Sequence, residues 1–227
     1  MRRFAIYYAP TDDAPLTRAA SAWLGRDACT GATVPAPETN GFSRAQWEAI
    51  VSDPRVYGFH ATLKAPFRLA ENVCEEDLRR RLRKLARRCK PFEVSLELGS
   101  LARFLALVLS HPSSEFLNLA ADCVREFDAF RAAPPAEEIE RRRRARLTEA
   151  QSAYLMKWGY PYVMEEWRFH MTLTATLGPE TFDQARTHLT DLFRPFCGTP
   201  MLVDSICLFE QEAAGAPFVV RERFGFA

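Results

Sequence analysis

"YGFHATLKAP", residues 57–66, sets the fold, because its residues alternate in character. Gly58, His60, Thr62 and Lys64 fall on one side of the alternation, and Phe59, Ala61, Leu63 and Ala65 on the other. Successive side chains of a β-strand point to opposite faces. The stretch therefore reads as a half-buried strand. Its apolar face wants helices packed on it, and its polar face presents an imidazole, a hydroxyl and a cation to something wet. A second stretch, "WRFHMTLTAT", residues 167–176, divides the same way: Arg168, His170, Thr172 and Thr174 against Phe169, Met171, Leu173 and Ala175. Of only four histidines in 227 residues, two stand in the same aromatic–His–x–Thr–Leu setting, 110 residues apart.

The flanking segments repeat an order of elements. "RFAIYYAP" is an apolar run ended by proline and predicts a buried strand. Helices are predicted at 16–24 and 43–51, the second with Ser43 as N-cap and Pro54 beyond its end. Turn-forming "TGATVPAPETNG" lies between them as a loop. After the His60 strand come the helix "EEDLRRRLRKLARRC", with Leu78, Leu82 and Leu85 at helical spacing, and the strands "PFEVSLELGS" and "RFLALVLS" joined at Gly99–Ser100. A helix at 113–131 closes this series. After the His170 strand come a helix at 179–193, entered through Gly178–Pro179, and strands in "PMLVDSICLFEQE" and "PFVVRERFGF". Strand–helix–strand–strand thus occurs twice, each time with one His-x-Thr. This predicts a single α+β domain over 1–227 with lobes at about 1–131 and 159–227. Residues 134–158 read as a helical insertion opened by Pro-Pro, with glutamates preceding arginines at i,i+4 spacing on a solvated face.

Composition narrows the function. Hydrophobic residues make up 48% and aromatic residues 12% of the chain, enough for a sizeable core. Thirty basic residues against 29 acidic ones give a net charge of +1, which disfavours a grip on long nucleic acid. The arginine run at 141–144 is offset by the acidic residues just upstream. No apolar run reaches membrane-spanning length, and "MRRFAIYYAPTDD" turns acidic too soon for a secretory signal. The expectation is a soluble cytoplasmic monomer with no membrane partner. Cys29, Cys74, Cys89, Cys123, Cys197 and Cys207 are scattered, without CxxC or a nearby His at ligand spacing. They predict reduced, mostly buried thiols, and no metal or cofactor is called for.

Two such strands facing each other would offer two imidazoles that titrate near neutrality, two hydroxyls and two cations. Imidazoles flanking a phosphorus can serve as general base and general acid. Thr62, Thr172, Lys64 and Arg168 can hold non-bridging oxygens and stabilise the charge that develops on them. The pattern is that of a metal-free phosphodiesterase site. Tyr57 and Tyr162 are candidate substrate-binding residues, able to stack on a base or sugar. Tyr7, Tyr160 and Phe104 are lesser candidates of the same kind, with core or rim packing as the alternative for every tyrosine. His111 and His188 lack a partner motif and are expected at the surface.

"HATL" at 60–63 and "HMTL" at 170–173 resemble the paired His-x-Thr motifs of the two-histidine (2H, LigT-like) phosphoesterase superfamily. The resemblance covers essentially the whole chain. It implies two pseudo-symmetric lobes, each with an antiparallel sheet and outer helices, and a central cleft between the sheets. It also implies catalytic roles for His60 and His170, phosphate-binding roles for Thr62 and Thr172, and a small cyclic phosphodiester as substrate. More narrowly, "YGFHATLKAPFRL", "KWGYPYVMEEWRFHMTLT" and the insertion between them resemble a bacterial branch encoded beside phosphonate-utilisation genes. That branch implies a phosphorylated ribose 1,2-cyclic phosphate. Three alternatives stay open: a 2′,3′-cyclic RNA-end phosphodiesterase or ligase-like enzyme, a noncatalytic nucleotide or RNA-end binding module, and a metal-dependent hydrolase. The last needs carboxylates that neither polar face supplies.

Overall fold

Residues Arg3–Tyr8 form β1, a strand buried on both faces. Phe4, Ile6 and Tyr8 enter the main core, while Ala5 and Tyr7 enter a second cluster with Ala28, Cys207, Phe209 and Phe218. A strand covered on both sides reads as a continuous apolar run, as this one does. The structure is a computed structural model that describes residues 1–35, 41–135, 137, 139–140 and 146–227.

β1 is joined by β2 (Ala61–Phe67), β3 (Phe92–Leu101), β4 (Phe104–Leu109), β5 (Met171–Thr172), β6 (Pro200–Val203), β7 (Ser205–Gln211) and β8 (Phe218–Gly225). Together they make one eight-stranded sheet, in the order β6–β3–β4–β5–β2–β1–β7–β8, with antiparallel ladders throughout. The chain is α+β with an antiparallel sheet, as the sequence implies. The halves of the sheet do not follow chain order, however. Hairpin β3–β4 sits beside β5 and β6, and hairpin β7–β8 sits beside β1 and β2. Lobes cut at 1–131 and 159–227 therefore do not match the two halves, because each half draws strands from both parts of the chain.

Seven α-helices stand among the described residues: α1 (Pro15–Leu24), α2 (Arg44–Ile50), α3 (Ser52–Tyr57), α4 (Glu75–Ala86), α5 (Ser114–Glu126), α6 (Glu149–Trp158) and α7 (Pro179–Phe193). Trp23 of α1, Trp47 of α2, Leu78, Leu82 and Leu85 of α4, Phe116 of α5 and Leu189 of α7 share one core. Phe59, Ala61, Leu63, Phe169, Met171 and Leu173, the apolar faces of the two motifs, belong to that same core. The Trp23 indole donates to the Leu173 carbonyl at 2.8 Å, and the Trp47 indole donates to the Trp23 carbonyl at 2.8 Å. These bonds fix α1 and α2 against the segment that carries His170. None of the seven is long and apolar enough to cross a membrane.

Several boundaries differ from the sequence expectation. Ser43 does cap α2, in a reciprocal box with Gln46. A further helix, α3, then follows, with Pro54 in its first turn, where a missing N–H breaks no helical bond. The β3–β4 turn is at Ala102–Arg103 rather than Gly99–Ser100, and Ala102 carries φ 52°. Gly99 lies inside β3, where an added Cβ would be 2.6 Å from the Val108 side chain. The 113–131 helix stops at Glu126. Within the insertion, α6 is capped by Thr148 and Gln151, and the described residues 137 and 139–140 are helical as well. The arginine run at 141–144 and positions 36–40 of the first loop lie outside the described residues.

The largest departure concerns Lys64. Ile6 pairs with Lys64 while its neighbour Tyr7 pairs with Thr62, so β2 carries an extra residue, Leu63, at this point. Such a bulge breaks strict alternation. Thr62 stays opposite Tyr7, whereas Lys64 joins the face of Ile6, beneath α5. There its ammonium is buried, donates to the Val124 carbonyl at 3.3 Å and lies 3.8 Å from Asp128. Lys64 is thus removed from the polar face assigned to it by alternation.

Burial lowers the Lys64 ammonium from its ordinary 10.5 to about 8, against the opposing pull of Asp128. Below about pH 8 both folded and unfolded chains hold this proton. Between about pH 8 and 10.5 the unfolded chain holds more of it, so this group makes stability rise with pH. Lys64→Met should lack that rise. Melting temperatures of the two proteins, compared from pH 7 to pH 10.5, should differ most at the low end. Parallel curves would place the ammonium in solvent.

Candidate active site

Ala61 of β2 pairs with Met171 of β5 at the centre of the sheet. Continued one residue each way, this antiparallel register sets His60 across from Thr172 and Thr62 across from His170. The motifs are related by a local two-fold between the paired residues. Both histidines enter their strands rather than lie within them, and β5 is only two residues long.

Each imidazole is held by the carbonyl two residues before it. His60 Nδ1 is 2.9 Å from the Gly58 carbonyl, and His170 Nδ1 is 2.9 Å from the Arg168 carbonyl. A carbonyl only accepts, so both rings carry a proton on Nδ1 and, when neutral, a free electron pair on Nε2. Gly58 makes this geometry possible at φ 79°, where an added Cβ would lie 2.4 Å from Ala28 Cβ.

The two rings then differ. His60 stacks on the buried Tyr7 ring at 3.8 Å, with Phe209 and Tyr57 about its edge at 6.0 and 6.1 Å. Its Nε2 is 3.2 Å from Thr62 Oγ1, whose hydroxyl donates to it. Burial lowers His60 from 6.5 to about 4; the Gly58 bond opposes this, and charge on His170 adds to it. His170 has Phe104 at 5.9 Å and no partner on Nε2 among the described residues. Burial lowers it too, against the Arg168 carbonyl bond.

A cavity of about 430 Å³ opens beside this pair. Thr62, Arg168 and His170 line it, with the aromatic rings of Phe104, Tyr160, Tyr162 and Trp167 and the polar pair Gln151 and Glu166. The Trp167 indole donates to the Thr62 carbonyl at 2.7 Å and so fixes one catalytic candidate from the other motif. Gln151 of α6 donates to Glu166 Oε2 at 2.7 Å, and the Tyr154 hydroxyl donates to Glu165. The end of the insertion therefore forms part of the cavity wall.

The structure brings His60, Thr62, His170 and Thr172 together, with Thr172 half-buried opposite Ala106 of β4. Arg168 is exposed on the cavity wall without an ion-pair partner among the described residues. Tyr162 lines the cavity, whereas Tyr57 stacks on Phe218 at 5.3 Å, beside His60 and off the cavity wall. Lys64 is elsewhere, under α5. Tyr7 is a platform beneath His60 rather than a cleft residue. His188 is not a free surface group, since it packs on Trp23 at 5.3 Å and against Phe42 at 6.0 Å. Cys123 and Cys207 are the buried thiols; Cys74 is exposed and the rest are half-buried. Sequence reasoning misses Gln151, Glu166 and Trp167 as wall residues. Strand alternation assigns no face to the turn at Met164–Glu166 or to the helix Glu149–Trp158, so only "EEWRFH" carries a trace of Glu166 and Trp167, and nothing local marks Gln151.

A ribose 1,5-bisphosphate phosphokinase PhnN from Janthinobacterium sp. (strain Marseille) is 39% identical over 100% of this chain and 51% of its own length. The protein of the same name from Laribacter hongkongensis (strain HLHK9) is 35% identical over 95% of this chain and 50% of its own. The chain spans about half the length of these curated relatives. Among solved structures, E. coli LigT in apo form aligns over 100% of this chain and 98% of its own, at 15% identity and a TM-score of 0.47. A family match covers residues 62–219, from Thr62 through both the insertion and the His170 motif to the last strand. On that match, the chain belongs to the family described as "Protein of unknown function (DUF1045)".

Proposed function

We propose that this protein is a cyclic phosphodiesterase that needs no metal and opens the cyclic phosphate of a small ribose phosphate or nucleotide. The observation that carries this reading is the β2–β5 register, which sets each histidine across from the other motif's threonine, with only the Thr62 hydroxyl on His60 Nε2 and no partner on His170 Nε2 among the described residues. Two positioned imidazoles and two hydroxyls suffice for the chemistry. Water attacks phosphorus as one imidazole takes its proton; the bond to the ribose oxygen breaks, and the other imidazole gives that oxygen a proton. Thr62, Thr172 and Arg168 hold the non-bridging oxygens.

Two asymmetries support a division of labour. His60, lowered to about 4 and shielded by Tyr7, is unprotonated at neutral pH and suits the base. His170 stands on the cavity wall, where the sugar that carries the leaving oxygen has room, and suits the acid.

The substrate favoured is 5-phosphoribose 1,2-cyclic phosphate. Breaking its bond to the C2 oxygen yields ribose 1,5-bisphosphate, the compound in the name of both relatives. Their kinase activity is not assigned to this chain, which lacks a G-x-x-x-x-G-K-[ST] phosphate loop.

The direct test is incubation with this cyclic phosphate, or with a 2′,3′-cyclic nucleotide, in EDTA, followed by phosphorus NMR. Ring opening that persists in EDTA is expected. Loss on chelation would overturn the metal-free chemistry, and binding without turnover would favour a noncatalytic module.

Replacing His60 or His170 by alanine should each cost at least about 10²-fold in kcat/KM. A substrate with sulfur in place of the leaving oxygen needs little protonation. His170→Ala should therefore recover most of its rate on that analogue, while His60→Ala should not. The opposite pattern would exchange the roles.

The kcat/KM profile should be bell-shaped with its maximum below pH 6.5. Its acid limb should fall through about 4, as His60 gains a proton, and its alkaline limb as His170 loses one. A flat profile between pH 4 and 6.5 would exclude the pair.

A further inference from the structure

Among the residues that line the cavity, one group is chemically out of place for a phosphate site. Glu166 is a half-buried carboxylate on the wall shared with Thr62, Arg168 and His170. A carboxylate repels phosphate, so it cannot serve the reacting end of the substrate. Nor is it a spent structural charge. Oε2 accepts from Gln151 Nε2 at 2.7 Å, and Oε1 has no partner among the described residues. Gln151 is itself fixed, because its backbone N–H and side-chain carbonyl complete the reciprocal cap of α6 with Thr148. One oxygen of Glu166 is thus anchored, and the other is left as an acceptor amid Phe104, Tyr160, Tyr162 and Trp167.

We propose that Glu166 is a specificity-determining residue, which accepts a hydrogen bond from an uncharged donor on the part of the substrate that does not react, with Gln151 positioning it. The inference rests on the cyclic-phosphate reading and extends it from the phosphorus to the rest of the ligand. A hydrogen bond to a carboxylate is among the stronger neutral-to-charged contacts, and leaving it unmade strands a desolvated charge. Aromatic walls suit either a sugar or a base face. The donor is therefore a ribose hydroxyl or the amino group of a nucleobase. In either case a second phosphate on this wall is disfavoured by the same carboxylate.

Equilibrium binding to the whole 227-residue chain separates these sources without requiring turnover. The sugar arm compares ribose 1-phosphate with its 3-deoxy analogue. The base arm compares cytidine 2′-phosphate with uridine 2′-phosphate, which differ in an amino donor against a carbonyl acceptor. The native protein should prefer the donor-bearing member of one arm by about 10-fold or more. Glu166→Gln can keep its carbonyl on Gln151 and turns an amide donor into the cavity, so the preference should vanish or reverse. A thermal melt checks that the variant is folded, and Gln151→Ala should weaken the preference without inverting it. Equal affinities within both arms of the native protein, or a preference unchanged in Glu166→Gln, would overturn the proposal alone. No binding in either arm would overturn it together with the reading on which it rests.

Discussion

The site depends on a single ladder contact, Ala61 against Met171. Because side chains alternate, one pair in register decides which partners face each other on either side of it. Here it puts an imidazole opposite a hydroxyl twice. A slip of one residue in either strand would place histidine over an apolar residue and send the other side chains to the wrong face. The helices above the sheet act mainly to hold this register. Trp23 and Trp47, chained through their indoles to the Leu173 carbonyl, tie α1 and α2 to the short strand that would otherwise be the weakest.

Much of this was legible in the sequence, where the information is local. Phe59, Ala61 and Leu63, with Phe169, Met171 and Leu173, occupy the core as alternation requires. Leu78, Leu82 and Leu85 bury the face that helical spacing assigns them. What escaped depends on contacts distant in the chain. The bulge at Leu63 is set by how β1 must meet β2, and no residue type announces it; it moved Lys64 from the polar face to the core side. The exchange of hairpins between halves of the sheet leaves no mark on the order of elements. The acceptor on the cavity wall is assembled from α6 and a short turn, neither of which carries a periodic signal.

The exchanged hairpins have a further consequence, for the way the molecule comes into being. β1, the third residue onward, is flanked in the sheet by β2 and by β7, which ends at Gln211. During synthesis β1 must wait for β7, with one edge and its Tyr7 face uncovered until β7 and β8 emerge. Such long-range closure slows folding and exposes a strand edge to neighbouring chains. Tyr7 is also the platform on which His60 rests. The platform under the His60 imidazole is thereby in place only once β7 and β8 have closed over β1.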